Sequence, residues 1–586
     1  MPPMASSIPS AKRRKVTSRV KSGCRTCKIR RVKCDEQKPS CSQCVQSGRA
    51  CEGYGIWEVS PSIRPPTPNQ RLLSLIYPPR TLPNLDLDEK LYLHRFRNQL
   101  AEKLALPFGC HFWTSLVLQL SLSEPAVLHA SIALASAYEA NVPSHSRATF
   151  LRNAPATSFL LRQYNRAIRA LTSSVSSSSV SSDDTASLRV AVVSCVLFIC
   201  LEIFRGNLNA MQAHFGSGVK LLCQLQRRQP QLPPTSGTVL VAQDPECLDD
   251  HLVDVFTRIN LQFIMLGYSA QQKGTFVSPF QYGRRFHIPR QFRSGREARQ
   301  YSNTILLAVI YLIKDIEATT LTTGTHPPPP SLAAFEKQKA LQVALAEWID
   351  AYEHSVEFLV STSPQEDIGL LMLRIYADVC TILVATCFSI KETAYDAHIF
   401  VFESIMKRYR DSISEKRNPA HSSKNKDSAG SSPCEPRFTL DIGFFPPLYF
   451  TALKCRNQTV RHEALSILRK FRSLEGPWTG SMLARVAGHV VNLEEQHFVK
   501  ALLPAGTSKP TTTPTAAVTP GLSPQVVLPE FCRFHCVEWH LPSGCDGNSN
   551  CAFLTLRRFR HELGKVGDWC ITQCTVDLSL GFEDKE

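Results

Sequence analysis

The sequence predicts a small cysteine-rich domain, a proline-rich linker and a large all-α domain. Three observations predict this fold class. Residues 24–51 contain six cysteines in a repeated spacing, residues 54–84 are rich in proline, and apolar residues recur at helical spacing from Leu85 onwards. A chain of 586 residues also exceeds what one hydrophobic core normally serves, so we expect two or more folded units.

The predicted organisation follows changes in composition along the chain. Residues 1–22 combine Ser, Pro and cations without apolar periodicity, which is typical of disorder, and Gly506–Pro524 is rich in Thr, Pro and Ala. We predict a disordered basic arm (1–22), a cysteine-rich domain (23–53), a linker (54–84), a helical domain (85–500), a low-complexity linker (501–529) and a C-terminal helical block (530–586).

The cysteines repeat the spacing Cys-x2-Cys-x6-Cys, first at Cys24, Cys27 and Cys34 and again at Cys41, Cys44 and Cys51. The first residues lack the apolar stretch of a secretory signal, so we expect a reducing compartment, where such pairs hold metal rather than disulfides. Two tetrahedral zinc ions need eight ligand positions. Six sulfurs fill eight positions only if two of them bridge both metals, so the repeat suggests one joint cluster. Such a cluster leaves no open position for catalysis.

Positive charge is concentrated around these cysteines. Residues 1–51 contain 13 Lys and Arg against two acidic residues, so they carry +11 of the chain's net charge of +16. Four of these cations, Lys28, Arg30, Arg31 and Lys33, lie between the second and third cysteines. A cationic face on a metal-held domain is typical of nucleic-acid binding.

The basic run Lys12, Arg13, Arg14 and Lys15 is typical of a nuclear localisation signal. The alternative is a solvated arm that adds phosphate contacts, and both roles are compatible. The longest apolar runs, Val190–Leu201 and Val379–Ile390, have twelve residues each, too few to span a bilayer. We therefore expect a nuclear protein that has no membrane partner.

Residues Cys24–Cys51 resemble the fungal Zn2Cys6 binuclear cluster, the DNA-binding module of a family of fungal transcription factors. The six cysteines, the basic run and Pro39, two residues before the fourth cysteine, carry the likeness. The resemblance implies that Cys24 and Cys41 bridge two structural zinc ions. Cys27 and Cys34 would complete one site, and Cys44 and Cys51 the other.

The same resemblance implies how DNA is read. In the family, the first helix enters the major groove, and Arg30 and Arg31 match the positions that reach base edges, typically at a CGG triplet. An Arg fork can take guanine O6 and N7 together. Lys28 and Lys33 are assigned to phosphate contacts, which add affinity without sequence information. The alternative is that all four cations form only a solvated face.

Residues 85–500 resemble the fungal-specific regulatory domain that accompanies many such clusters. The likeness lies in His111–Trp113, Glu124–Ala130, Tyr164–Ile168, Glu202–Asn207 and His214–Gly218. The implied role is regulatory, and the effector or partner is unknown. Gly216–Lys220 lacks P-loop spacing, and His462-Glu463 and His561-Glu562 lack the second His of a metalloprotease motif, so we expect no enzyme.

The C-terminal block is also rich in potential metal ligands: Cys532, His535, Cys536, His540, Cys545, Cys551, Cys570 and Cys574. One interpretation is a further zinc site, since the x3 spacing places paired sulfurs on one helical face. The interpretation that we favour is a set of buried free cysteines in a helical subdomain.

Together the two resemblances imply a sequence-specific regulator of RNA polymerase II transcription that binds double-stranded DNA and the transcription machinery. Activation is commoner than repression in the family that the chain resembles, and its members often control a secondary-metabolite gene cluster. We expect both properties here. No heptad repeat follows the cluster, so a homodimer and a monomer both stay open. The competing hypothesis is a zinc-knuckle scaffold that binds RNA or protein without reading sequence. That scaffold would use aromatic residues for stacking, and residues 24–51 contain none.

Overall fold

The chain divides into two compact units, Met1–Arg71 and Leu72–Glu586. The structure, a computed structural model, describes residues 24–30, 32–37, 40–49, 51, 85–105, 110–141, 154–177, 184–228, 238–242, 247–267, 276–277, 287–322, 330–359, 364–415, 438–471, 473–502, 528–540, 551–559 and 569–577. The predicted basic arm, the first linker and residues 503–527 of the second linker lie outside these ranges.

The first unit contains two short helices, α1 (Arg25–Arg30) and α2 (Ser42–Gln46), one in each half of the cysteine repeat. Each helix begins directly after the first cysteine of its half, so the Cys-x2-Cys pair places two sulfurs on one helical turn. Helix α2 ends before Gly48, whose φ of 64° lies in the left-handed region that favours glycine. Gly48 is therefore a turn residue.

The second unit is predominantly helical, as predicted. Its described helices are α3 (Leu87–Arg95), α4 (Ala101–Ala105), α5 (Val117–Ser123), α6 (Pro125–Asn141), α7 (Ala154–Ser177), α8 (Asp184–Arg205), α9 (Leu208–Arg227), α10 (Leu248–Met265), α11 (Gly295–Thr322), α12 (Leu332–Leu359), α13 (Pro364–Thr386), α14 (Ile399–Glu415), α15 (Phe445–Lys454), α16 (Gln458–Lys470) and α17 (Gly480–Leu502). Single π-helical turns occupy Phe96–Leu100 and Phe112–Leu116, and 3-10 turns occupy Glu392–His398 and Glu530–Cys532.

Local sequence signals explain where several of these helices begin and end. Asp86 and Glu89 form a capping box at the start of α3, each accepting the other's backbone N–H. Pro125 is the first residue of α6, where its missing N–H costs nothing. Between α8 and α9, Gly206 adopts a φ of 73° and Asn207 caps the next helix with its side chain.

Helix α8 lies at the centre of the core and packs against α6, α9 and α10. The prediction that the longest apolar runs are too short to span a bilayer is wrong by length, because the helical stretches Thr185–Arg205 and Asp367–Thr386 are long and apolar enough to cross one by length and composition. However, 83% of the most apolar stretch of the first and 67% of that of the second is buried inside the protein. Such burial is also what a core helix, apolar all round, requires.

Short strands also pair in the segments between the helices. Strands β1 (Val239–Leu240) and β2 (Phe276–Val277) pair in parallel. Strand β4 (Leu474–Glu475) pairs in parallel with β3 (Phe438–Thr439) and antiparallel with β5 (Trp478–Thr479).

Helix α15 was not predicted from the sequence. It carries its two prolines in the first turn, where a missing N–H is tolerated.

The prediction of a C-terminal helical block is wrong. The described residues form an antiparallel three-stranded sheet with β7 (Cys551–Phe559) between β6 (Cys536–His540) and β8 (Trp569–Asp577). In β8, Thr572 and Cys574 are half-buried, whereas Ile571 and Gln573 are exposed. This period of two, together with the β-branched and aromatic residues of both long strands, favours strands over helices.

The C-terminal sheet belongs to the main core. Trp539 and Leu556 are buried within the same hydrophobic cluster as the helices, and the backbone N–H of Trp539 donates to the Gly267 carbonyl oxygen at 3.0 Å. Gly267 has a φ of 77°, and a Cβ there would lie 2.4 Å from the Val537 oxygen. The approach of β6 to the end of α10 therefore requires glycine at position 267.

A buried ionic network holds the segment before β6 against the helices. The Glu494 carboxylate, fully buried in α17, accepts hydrogen bonds from Arg456 at 2.9 Å and Arg461 at 2.7 Å. It also accepts the backbone N–H of Phe534 at 2.9 Å. Because buried charges are stable only when paired, this network joins α16, α17 and the C-terminal segment.

Candidate metal centre and nucleic-acid interface

The structure brings together all six predicted ligand cysteines. Their sulfurs form two groups, Cys24, Cys27, Cys34 and Cys41 in one and Cys24, Cys41, Cys44 and Cys51 in the other. Within each group, all sulfurs lie within 4.8 Å of one another. The two groups share Cys24 and Cys41, the same two residues that were expected to bridge two metals.

The distances between sulfurs fit zinc coordination. The Cys24 Sγ lies 3.6 Å from the Cys41 Sγ and 3.7 Å from the Cys44 Sγ, and the Cys27 Sγ lies 3.6 Å from the Cys41 Sγ. A zinc–sulfur bond of about 2.3 Å gives a regular tetrahedron with edges of about 3.8 Å. A disulfide would instead need a separation of about 2.05 Å. The sulfurs are therefore spaced as ligands of shared metal ions.

Because these cysteines are buried, their thiolates need bound metal ions to be stable. Cys24, Cys27, Cys41 and Cys44 are fully buried, Cys34 is nearly so and Cys51 is half-buried. In the absence of metal, burial raises the pKa of the Cys24 thiol, and it raises the pKa of Cys41 to about 12. A coordinated zinc ion favours the thiolate. Two zinc ions would be held by these six residues in a closed, structural centre.

Asp35 joins the two halves of the cluster outside the metal centre. Its carboxylate accepts the Ser42 hydroxyl at 2.6 Å, the Ser42 N–H at 3.0 Å and the Gln43 N–H at 3.3 Å. The hydroxyl bond, with help from the two N–H groups, lowers the pKa of Asp35 to about 2. Asp35, which lies in the segment between the two halves, thus accepts the N–H groups at the exposed start of α2.

The predicted DNA-contacting residues differ in their position and exposure. Lys28 lies within α1 and Arg30 is its last residue, half-buried, whereas Lys33 is exposed. The Arg30 Nη1 donates to the Ser47 hydroxyl oxygen at 2.7 Å. Arg31 and the predicted localisation signal, residues 12–15, lie outside the described residues.

Sequence reasoning missed both Asp35 and Ser47 as parts of this site. Asp35 precedes α2 by several residues, so it does not match a local N-cap pattern. Ser47 has one signal, the Gly48 that follows it and marks a helix end. That signal predicts the turn but not the arginine that reaches it from the other half.

Polar residues of the helical domain that could suggest catalysis have structural partners. His129 Nδ1 lies 2.7 Å from Gln163 Oε1, and His214 Nε2 lies 3.0 Å from the Tyr164 hydroxyl. Burial lowers the pKa of both half-buried histidines, and each has a hydrogen-bonding partner within the helical domain. The Arg205 guanidinium donates to the Glu202 carboxylate of the same helix at 2.7 Å, which is a structural ion pair.

The C-terminal cysteines are only partly within the described residues. Cys532 is buried in a 3-10 turn, and Cys536 is half-buried at the start of β6. Among the side chains that the structure describes, every group of Cys, His and carboxylate ligands able to hold a metal belongs to residues 24–51. Cys545 lies outside the described ranges, as do the side chains of Cys551 and Cys570.

Two family models match the chain in the order of its two units. The fungal Zn(2)-Cys(6) binuclear cluster domain matches residues 22–56. The fungal specific transcription factor domain matches residues 91–291. The first match contains all six cysteines, and the second spans the helices from α3 to α10.

Similar curated proteins are fungal transcription regulators. The aspercryptin biosynthesis cluster-specific transcription regulator atnN of Emericella nidulans is 22% identical over 82% of this chain and 88% of its own length. Transcription regulator lscL of Purpureocillium lilacinum is 28% identical over 36% of this chain and 51% of its own. An uncharacterized transcriptional regulatory protein of Schizosaccharomyces pombe is 34% identical over 21% and 25% of the two chains.

No solved structure matches the chain. The resemblance expected from the sequence is nevertheless confirmed by both family models and by these relatives. The paired sulfur groups supply the ligands for the two zinc ions that a Zn2Cys6 domain binds. The chain thus carries a fungal Zn(2)-Cys(6) binuclear cluster domain followed by a fungal specific transcription factor domain, and it is similar to fungal transcription regulators.

Proposed function

We propose that this protein is a nuclear, zinc-dependent regulator of RNA polymerase II transcription that recognises a CGG-like half-site in double-stranded DNA. The observation that carries the proposal is the position of the basic run. Lys28 and Arg30 lie in α1, directly after a metal-held cysteine. A short helix fixed at its base by metal can present cations to the major groove without folding on contact.

The proposed contacts divide by chemistry. Arg30 and Arg31 contact guanine edges, because the guanidinium fork matches O6 and N7. Lys28 and Lys33 contact phosphates, which supply affinity and its dependence on salt. The exposure of Lys33 supports this role, since a phosphate contact needs an ammonium group that reaches solvent.

The biological setting is proposed from the basic arm and from one relative. Lys12, Arg13, Arg14 and Lys15 act as the nuclear localisation signal. The printed name of atnN describes a regulator specific to a biosynthetic gene cluster, and that relative aligns with 82% of this chain. We extend this role to the present chain as an activator of a secondary-metabolite gene cluster.

The helical unit is proposed to regulate this activity through contacts with the transcription machinery, with an effector or with a second copy of the chain. Support comes from its match to the fungal specific transcription factor domain. The proposed domain limits place regulation in residues 85–500, and the sheet of residues 536–577 packs into the same core.

The proposal is tested by genome-wide occupancy and transcript analysis of a tagged full-length protein in its host. The expected result is nuclear signal, occupancy centred on a CGG-like motif, and reduced transcripts of an adjacent gene cluster when the gene is deleted. Occupancy without any shared motif, or binding to RNA alone, would favour the zinc-knuckle scaffold instead. Increased transcripts after deletion would show that the protein represses the gene cluster rather than activating it.

Two substitutions test the division of contacts in the purified protein. Arg31→Ala should flatten the preference among triplets, whereas Lys28→Ala should weaken binding to all sequences about equally and reduce the salt slope by about one. If both variants lose affinity equally on every duplex, the assignment of base contacts to Arg31 is wrong.

A further inference from the structure

A direct side-chain hydrogen bond joins the proposed reading helix to the second half of the cluster. The Arg30 Nη1 donates to the Ser47 Oγ at 2.7 Å, across 17 residues of sequence. Arg30 is the last residue of α1, and Ser47 is the residue that ends α2. The arginine that we propose reads a base is therefore held by a residue that carries no charge.

Ser47 is itself held in one orientation by the end of α2. Its hydroxyl lies 2.7 Å from the Gln43 carbonyl oxygen and 3.1 Å from the Cys44 carbonyl oxygen, so it donates its proton to the helix. The Gly48 N–H donates to the Val45 oxygen and closes the turn. The lone pairs of the Ser47 oxygen are consequently left for the Arg30 guanidinium.

The bond with Ser47 leaves Arg30 able to read a base. A guanidinium has five N–H donors, and a bidentate contact with guanine needs two. Ser47 takes one, from Nη1. The remaining donors are sufficient for O6 and N7, and one edge of the guanidinium is fixed before DNA arrives.

We propose that Ser47 is a positioning residue that pre-orients Arg30 for base recognition and so contributes to sequence specificity without touching DNA. The inference rests on the proposed function, because it needs Arg30 to contact a base. Its physical basis is conformational entropy. A free arginine loses rotamer freedom when it binds a base, whereas an arginine already held by Ser47 has lost much of it during folding.

The expected effect is confined to discrimination between bases. Ordering one long side chain corresponds to about a three- to tenfold change in affinity. Ser47→Ala should therefore reduce the preference at one base pair by about three- to tenfold. Affinity for non-specific DNA and its salt dependence should not change, because no phosphate contact or charge is removed.

The test compares binding of the full-length, zinc-loaded protein to duplexes in which each base pair of the selected half-site is varied in turn. Arg30→Ala first identifies the base pair that Arg30 reads. Ser47→Ala should weaken discrimination at that same base pair, and Ser47→Thr, which keeps the hydroxyl, should restore it. Gln46→Ala is the matched control, because Gln46 directly precedes Ser47 at the end of α2 and its side chain is exposed.

A double variant separates positioning from general stability. In the Arg30→Ala background, Ser47→Ala should cause no further change in the base profile. An additional loss there, an unchanged profile in Ser47→Ala alone, or an equal loss of affinity on all duplexes would each overturn the proposal. If the wild-type protein itself shows no base preference, the proposed function fails, and that outcome is distinct from a failure at Ser47.

Measurement of the zinc content shows whether each variant still folds. Each variant should retain the two zinc ions of the wild-type protein. Should Ser47→Ala lose zinc, Ser47→Gly is a second variant without a hydroxyl, and a helix end tolerates glycine. Loss of zinc in both variants would show that Ser47 maintains the fold, and the positioning role would be rejected.

Discussion

Cys24 and Cys41 hold their sulfur atoms 3.6 Å apart at the centre of the cluster, and each belongs to both groups of four ligands. The two zinc sites consequently share an edge. A change at a shared sulfur affects both metal ions, whereas a change at a terminal sulfur affects one.

Zinc stoichiometry should reveal this sharing. Cys41→Ala removes a ligand from both tetrahedra, so we expect the zinc content to fall from two ions per chain to fewer than one. Cys51→Ala removes a ligand from one tetrahedron only and should leave about one ion. Metal analysis of the purified full-length protein gives the measurement, and Cys387→Ala in the helical unit, which should keep both ions, is the control. An equal loss of zinc from Cys41→Ala and Cys51→Ala would contradict two zinc sites that share an edge.

The buried Glu494 should make the free energy of unfolding depend on pH. Burial alone would raise its pKa, but Arg456 and Arg461 outweigh that effect and lower the pKa to about 2, from 4.5. A carboxylate whose pKa is lower in the folded state stabilises the protein above the pKa of the unfolded state. This stabilisation is lost as the pH falls from 4.5 toward about 2.

The variant Glu494→Gln tests this dependence through the midpoint of urea unfolding. At pH 7 we expect a loss of about 3–5 kcal/mol, because two buried arginines lose a charged partner. The difference from the wild-type midpoint should narrow as the pH falls below 4.5. The exposed Glu357→Gln should show no such trend. Parallel pH profiles for the wild-type protein and Glu494→Gln would exclude Glu494 as the source.

Arg533 should anchor the C-terminal segment more strongly than a surface ion pair could. Its fully buried guanidinium bonds to Asp396 at 2.9 and 2.6 Å. Arg533→Ala should therefore lower the free energy of unfolding by about 3–5 kcal/mol. The exposed pair of Arg410 and Glu463 is the comparison, and Arg410→Ala should cost less than about 1 kcal/mol.

Thermal unfolding and limited proteolysis measure the effect of Arg533→Ala. The variant should be cut faster within residues 503–527, because that stretch adjoins the loosened segment. Equal melting temperatures for Arg533→Ala and Arg410→Ala would show that the C-terminal segment is held by its apolar contacts alone.

Local patterns made the metal cluster and the helices predictable. The spacing of six cysteines specifies two equivalent halves, and apolar residues that recur with a period near 3.6 specify helices such as α6 and α8. Pro125 and Gly206 also mark helix boundaries with chemistry that can be read directly. In each case the signal lies within a few residues of the structure that it predicts.

Contacts between distant residues could not be predicted. Arg30 meets Ser47 across 17 residues, and Arg461 meets Glu494 across 33. These meetings depend on the folded path of the chain. The C-terminal strands were missed for another reason, since short apolar runs fit a strand or a buried helix equally well by composition. Their alternation of exposure became visible only in the structure, at residues such as Ile571 and Thr572.

The central claim is that the zinc cluster reads base sequence, and a binding selection tests it most directly. The full-length, zinc-loaded protein is incubated with a pool of randomised DNA duplexes at about 0.15 M salt, and bound sequences are identified. We predict enrichment of a CGG-like triplet, with affinity about a hundredfold or more above a duplex in which the triplet is replaced, since each mismatched pair costs about 1–3 kcal/mol. A chelator should abolish the binding. Persistent binding without any enriched motif would contradict sequence readout by the cluster.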